Sequence, residues 1–198
     1  MPPNQTVGYQ TIYTDPEKFA RNDQASKIHN EAKRLQKAGN YAAAEQCYLE
    51  AIRIRDQLWG VGSTQAALNQ NALGEMYVEM ARLDDAEHMF QRVLDVYNQD
   101  EALRKHFDAA VVRESLAQVY EARGDGPEAR RTRARGLPHS LACGNYKCPG
   151  SLFTIKALRR CSHCKCIMYC TPVCQDVDWK RHKKHCKQVA RSLGIGDS

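Results

Sequence analysis

The stretch from Cys143 to Cys186, CGNYKCPGSLFTIKALRRCSHCKCIMYCTPVCQDVDWKRHKKHC, decides how this chain is read. It holds Cys143, Cys148, Cys161, Cys164, Cys166, Cys170, Cys174 and Cys186, eight of the nine cysteines, with His182 between the last two. In Cys161-Ser-His-Cys164 the two-residue spacer suits a tight turn in which both thiolates point at one metal and the intervening amides stabilise the sulfurs. His182 and Cys186 stand four residues apart, so a helix would place both on one face, ready to complete a site begun elsewhere. Cys170-Thr-Pro-Val-Cys174 offers a comparable pair at a helix start. Leaving Cys166 aside, these spacings supply eight donors, the number that two tetrahedral zinc ions require. Cys166 is either a spare thiol or a substitute for Cys164; a two-residue spacer closes a metal turn more readily than a one-residue spacer, which favours the spare thiol. His163 and His185 are expected to be solvent-exposed polar residues.

A disulfide framework is the alternative for so many cysteines, and it belongs to small secreted domains. The chain opens Met-Pro-Pro-Asn-Gln with neither a basic start nor an apolar run, and it has no stretch of 18 apolar residues. The expectation is therefore no signal peptide, no membrane span and an intracellular, reducing setting in which such a pattern binds metal.

Tyr169-Cys170, Cys174-Gln175, Asp178-Trp179, His182 and Cys186 together read YC-x3-CQ-x2-DW-x2-H-x3-C. This resembles the MYND-type zinc finger. The family's cross-brace ligation, carried over residue by residue, implies one zinc on Cys143, Cys148, Cys170 and Cys174 and another on Cys161, Cys164, His182 and Cys186. The first pair departs from the family, with four residues between Cys143 and Cys148 where two are usual.

The chain's 198 residues leave room for a second, larger domain upstream of a 44-residue finger. The formal charge of +6 is uneven: residues 1–125 carry 14 Lys and Arg against 19 Asp and Glu, whereas residues 143–198 carry 11 against 3. Two zinc ions on seven thiolates would lower that basic excess without cancelling it.

Residues 1–23 read as a polar N-terminal tail with Pro2, Pro3 and Pro16, although Thr14-Asp15-Pro16-Glu17 has the form of a helix start. From Gln24 the pattern turns helical, with Ile28, Ala32 and Leu35, a break at Gly39-Asn40, then Ala44, Tyr48, Ala51 and Ile52. That unit recurs. Ala44 and Tyr48 return as Ala86 and Phe90, preceded by Leu73, Gly74 and Tyr77; a third copy holds Leu116, Ala117, Tyr120, Gly124 and Ala129. The intervals are 42 and 43 residues. These residues resemble tetratricopeptide repeats of a longer-spaced kind, in which small residues let paired helices approach and aromatic ones fill the space between repeats. Arg130 to Arg135 replace the apolar stripe in the last helix and suit a solvated end cap.

The expected fold class is mostly α: a tetratricopeptide-like helical repeat stack followed by a small zinc-stabilised cross-brace finger. Its divisions are residues 1–23 as tail, 24–136 as three helix pairs, 137–142 as linker, 143–186 as finger and 187–198 as C-terminal tail. Within the finger, Leu152–Ile155 and Ile167–Tyr169 are the strand-like runs, expected as a small hairpin or as isolated extended pieces between the metals. The last helix is expected over about Pro172 to Lys187, with an extension toward Leu193.

Zinc sites with four protein ligands are closed and structural, and no Ser/His/Asp set, phosphate loop, HExxH motif or SET-type cofactor loop appears. A non-enzymatic adaptor is expected. The resemblances imply protein partners, proline-rich peptides among them, often in transcriptional regulation. Gln175 and Trp179, four residues apart on the last helix, are the expected peptide-binding residues, with Trp179 reading equally well as a core residue of a small domain short of apolar material. The repeats' inner face shows His29, Lys33, Asn71, Glu75, Glu114 and Gln118, without the basic pair in the third copy that would grip a C-terminal carboxylate. The alternative is a nucleic-acid binder using the arginines at 130–135 and the basic last helix. The run Lys180–Lys184 suits a nuclear-import signal or simply a charged outer face, which leaves nuclear and cytoplasmic locations both open.

Overall fold

The computed structural model describes residues 15–195 and divides the chain into two compact units at Val96/Tyr97. In the first unit, α1 (Pro16–Lys37), α2 (Tyr41–Trp59), α3 (Thr64–Glu79) and α4 (Leu83–Asn98) follow one another as helix pairs, with α4 running two residues past the division. Each early start has a local cause. The Asp15 carboxylate accepts from Glu17 N at 3.1 Å and Lys18 N at 3.2 Å with Pro16 in the first turn, while Asn40 and Ser63 cap α2 and α3. The tail expected over residues 1–23 is corrected in part, since Pro16 already begins the helix that runs to Lys37; residues 1–14 lie outside the described residues.

Ala25, Ala32, Ala44, Tyr48, Ala51, Leu73, Met76, Ala86, Phe90 and Leu94 form the buried interior of this unit. Gly74 shows why the repeat wants a small residue there. A Cβ on it would stand 2.7 Å from Phe90 Cε1, so the aromatic ring of one helix lies directly on the backbone of the other. Tyr77 ties the pairs together by donating to the Glu45 carboxylate, which also faces Arg82 at 3.2 Å.

The second unit opens with the short α5 (Glu101–Arg104), followed by α6 (Phe107–Arg123) and α7 (Gly126–Ala134). Gly124, in the left-handed region at φ 80°, ends α6, and Asp125 caps α7. The chain then enters the finger, whose regular structure is small: a 3-10 turn at Ile155–Ala157, β1 (Arg159–Arg160), β2 (Met168–Tyr169) and α8 (Pro172–Ser192). The C-terminal tail expected from residue 187 is thus helical as far as Ser192, and residues 196–198 lie outside the described residues.

β1 and β2 pair antiparallel, Arg159 opposite Tyr169 and Arg160 opposite Met168. Of the two strand-like runs, only Met168–Tyr169 enters this ladder. Phe153 bridges to Leu141 instead, and Ile155 begins the 3-10 turn. The two arginines carry no strand signal because both are exposed; the backbone pairs there because the turn at Cys161–Cys164 folds the chain back, with Cys161 N donating to Ile167 O at 2.9 Å.

α8 packs on α6 and α7, and Gly126 marks how closely. A Cβ there would meet Val189 O at 2.9 Å and the Ser192 and Leu193 side chains at 2.7 and 2.8 Å. Ala117 and Ala129 belong to the same buried cluster as Cys161, Cys164, Ile167, Tyr169, Val189 and Ala190. The third helix pair, grouped with the repeats from sequence, therefore shares one core with the finger.

Candidate zinc centres

Thr171 and Pro172 shape the start of α8: the Thr171 hydroxyl accepts from Cys174 N at 3.1 Å, and proline occupies the first turn where no amide hydrogen is needed. This cap fixes Cys174 one turn into the helix beside Cys170, sulfur to sulfur at 3.5 Å. Cys148 Sγ lies 3.6 Å from Cys170 Sγ, and Cys143 Sγ accepts from Cys170 N at 3.5 Å. Two turns along α8, His182 and Cys186 face the Cys161–Cys164 turn, with Cys161 Sγ 3.8 Å from Cys186 Sγ and Cys164 Sγ 3.5 Å from His182 Nε2. Within each set of four the donor atoms all lie within 4.8 Å of one another.

These spacings fit a metal. A tetrahedron with Zn–S bonds of about 2.3 Å has edges of about 3.8 Å, close to the observed separations. All nine cysteines are free thiols, so the disulfide framework is absent. The sets interleave along the chain, which makes each ion a cross-link between segments far apart in sequence.

Cys166 belongs to neither set. Lys165 adopts a left-handed conformation at φ 54°, and beyond it the Cys166 sulfur points to α7, 3.1 Å from Arg133 Nη1 and 3.8 Å from Gly126 O. Burial pushes its thiol up to about 11 against the pull of Arg133. Cys161→Ser is accordingly expected to cost one zinc ion per chain and Cys166→Ser none, as read by elemental analysis of the purified variants; equal losses would place Cys166 among the donors.

A buried charge network surrounds the second set. Arg133 is 4% exposed and makes a bidentate pair with Glu114 at 2.7 Å through Nε and Nη2, while Nη1 donates to Glu121 Oε1 at 2.9 Å. Burial works against charge on both Arg133 and Glu121, yet their mutual attraction prevails: the guanidinium is held well above its ordinary value, and Arg133, His182 and Arg181 hold the Glu121 carboxyl down at about 2. Asp178, also buried, accepts from Tyr169 Oη at 2.7 Å and from Arg181 Nε at 2.8 Å and Nη2 at 2.6 Å.

The solvated end cap at Arg130–Arg135 is corrected in part by this network. Arg131 and Arg135 are exposed and face Glu128, but Arg133 is an interior residue. Glu114 and Gln118, read as part of a repeat groove, turn inward as well: Glu114 pairs with Arg133, and Gln118 donates to Gly144 O at 3.0 Å. Sequence reasoning missed Glu121, which carries no metal-ligand spacing. The available signal was an acidic residue four positions after Ala117, on the small-residue face of α6, matched by an arginine in the apolar stripe of α7.

Gln175 and Trp179 sit on α8 and belong to neither donor set. Gln175 is half-buried; Trp179 is 43% exposed and leans its ring on His182 with centroids 6.0 Å apart. Of the basic run, Lys180, Lys183 and Lys184 are exposed, whereas Arg181 pairs with Asp178 and His182 is buried. His163 and His185 are half-buried rather than exposed.

Comparison with known proteins finds two matches along the chain. The model for the tetratricopeptide repeat matches residues 21–99, and the model for the MYND finger matches residues 142–186. The chain thus carries tetratricopeptide repeats followed by a MYND finger, and its two Cys/His sets match the two zinc sites of that finger. Similar curated proteins include a SET and MYND domain-containing protein of Dictyostelium discoideum, 53% identical over 32 residues, 16% of this chain and 6% of that protein. An F-box protein of Arabidopsis thaliana is 52% identical over 40 residues, 20% and 11% of the two chains. SET domain-containing protein 14 of Caenorhabditis elegans is 40% identical over 42 residues, 21% and 10%. The match therefore spans about a tenth or less of each relative's length. No helix among the described residues is long and apolar enough to cross a membrane.

Proposed function

We propose that this protein is a non-enzymatic adaptor that joins protein partners, taking one through its tetratricopeptide repeats and a short proline-rich peptide through its MYND finger. Both modules support protein interaction, and transcriptional regulation is the setting the finger's resemblance suggests. The observation that carries the peptide reading is Trp179, which keeps 43% of its surface exposed on α8 with Gln175 one turn before it. An indole face stacks well on a proline ring, and a glutamine amide offers both a donor and an acceptor to an extended backbone. The zinc ions would be held by closed four-donor sets, leaving them to brace the surface rather than to activate water. The SET proteins among the relatives share only short segments with this chain, and their activity is not part of this reading.

Gln175→Ala is expected to weaken binding of a proline-rich peptide by about 10-fold, roughly 1.4 kcal/mol, while both zinc ions and the helical signal stay. Titration calorimetry with the full chain reads the effect. Undiminished affinity in the variant would remove Gln175 from the contact. Binding to nucleic acid that vanishes between low and physiological salt would instead favour the exposed lysines of α8 acting on phosphate.

A further inference from the structure

The second Cys/His set depends on a histidine, and a histidine ligand needs its two ring nitrogens in different states: one bare toward the metal, the other bearing the proton and held by an acceptor. His182 is fully buried, with Nε2 3.5 Å from Cys164 Sγ and therefore on the metal side. Its other nitrogen, Nδ1, is buried without a hydrogen-bond partner. Facing it at 3.7 Å is Glu121 Oε2, which is also buried and also without one. The second oxygen of that carboxylate is already engaged, because Oε1 accepts from Arg133 Nη1 at 2.9 Å. Arg181 Nη1, 3.7 Å away, also faces Oε2. The Tyr169 and Trp179 rings stand 6.4 and 6.0 Å from the imidazole centroid and confine its rotation.

Two complementary orphaned atoms that face one another in a dry interior are each other's natural partner, and the gap exceeds hydrogen-bond length by less than 1 Å. We propose that Glu121 is a positioning residue for the second zinc site: its Oε2 accepts the Nδ1 hydrogen of His182, which fixes the tautomer and turns the Nε2 lone pair toward the metal. Arg133 holds the carboxylate in place through Oε1. The proposal rests on the second set being a zinc site, and it makes α6, outside the finger's own sequence, part of that site's outer shell. The finger of this chain then needs the preceding helix pair to hold its second metal at full strength.

The test is a chelator competition on the full chain, reading zinc lost from each site. Glu121→Gln keeps shape and removes the anionic acceptor; it is expected to lower zinc affinity at the second site by about 10- to 100-fold and to leave the first unchanged. The same substitution is then made in a His182→Cys background, where a thiolate ligand has no second nitrogen to orient. There Glu121→Gln is expected to change zinc retention by less than twofold. Equal losses in both backgrounds would reduce Glu121 to a packing and charge partner of Arg133, and no loss in either would remove it from the site altogether. Nitrogen-15 spectra of the wild-type histidines give a readout that needs no variant: His182 protonated on Nδ1 is expected, and protonation on Nε2 overturns the proposal. Failure of the zinc reading itself is separable, because Cys161→Ser would then cost no metal.

Discussion

Stripping the metal with a strong chelator is expected to erase the fold of residues 143–186 and to loosen α6 and α7 with it, while the helices within residues 16–96 keep their protection. The regular structure between Leu137 and Thr171 amounts to two strands of two residues and one 3-10 turn, and much of the interior there is cysteine. Such a segment cannot stabilise itself by apolar burial. Structural zinc contributes on the order of 10–16 kcal/mol per site to folding in small metal-bound domains, far more than the few apolar contacts here can replace. Without metal, seven thiols and an imidazole would be left clustered and unpaired. Ala117 and Ala129 pack into the same core as those cysteines, so α6 and α7 lose a packing surface when the finger opens. The first unit draws on Tyr48, Leu73, Met76 and Phe90, none of which belongs to a ligand set. Amide hydrogen exchange with mass spectrometry reads all three regions in one experiment, after elemental analysis has established two zinc ions per chain. Unchanged protection in α6 and α7 would mean that the shared core is not a cooperative one, and loss of protection across residues 16–96 would mean that the units do not fold independently. A content of one zinc would point to the four-residue spacer between Cys143 and Cys148 as unable to hold metal.

Local chemistry explains which parts of this architecture could be read in advance. Metal-ligand spacing is a short-range code: Cys161 and Cys164 must share a turn, and His182 and Cys186 must share a helix face, whatever the rest of the chain does. The recurring small and aromatic residues, Gly74 under Phe90 being the clearest case, carry the helix pairs in the same way because they encode one contact each. The start of α1 was legible too, in Asp15-Pro16-Glu17, but the polar composition around it masked a helix whose stabilising contacts come from α2. Arg159–Arg160 could not be recognised as a strand, since two exposed arginines have no alternation to detect and the pairing is imposed by the metal turn between the strands. Arg133 was hidden for a related reason. A run of arginines reads as solvent-facing until the partner helix is known to present Glu114 and Glu121 at the matching level, and that matching is a tertiary fact spread over 20 residues of chain.

Arg133→Met is expected to destabilise the second unit by about 3–5 kcal/mol, because it removes from a dry interior the guanidinium that two buried carboxylates share. Glu114 and Glu121 are 7% and 0% exposed, and Arg133 is the guanidinium that pairs both. The sign follows from the asymmetry of buried ion pairs: the desolvation of three charges is already suffered in the folded state, and the attraction that offsets it disappears when one partner goes. Arg131→Met makes the control, since Arg131 meets Glu128 at an exposed position where the pair is worth little. The measurement is urea unfolding followed by indole fluorescence in a Trp59→Phe background, which leaves Trp179 as the single tryptophan and so reports on the second unit. A triple variant, Arg133→Met with Glu114→Leu and Glu121→Leu, sharpens the argument. If the cost comes from stranded charge, replacing the whole triad by apolar side chains should recover most of the stability lost by the single change. A triple variant as unstable as Arg133→Met would instead locate the cost in packing geometry. A single variant within 1 kcal/mol of wild type would show that the network contributes almost nothing to holding the finger on its helix pair.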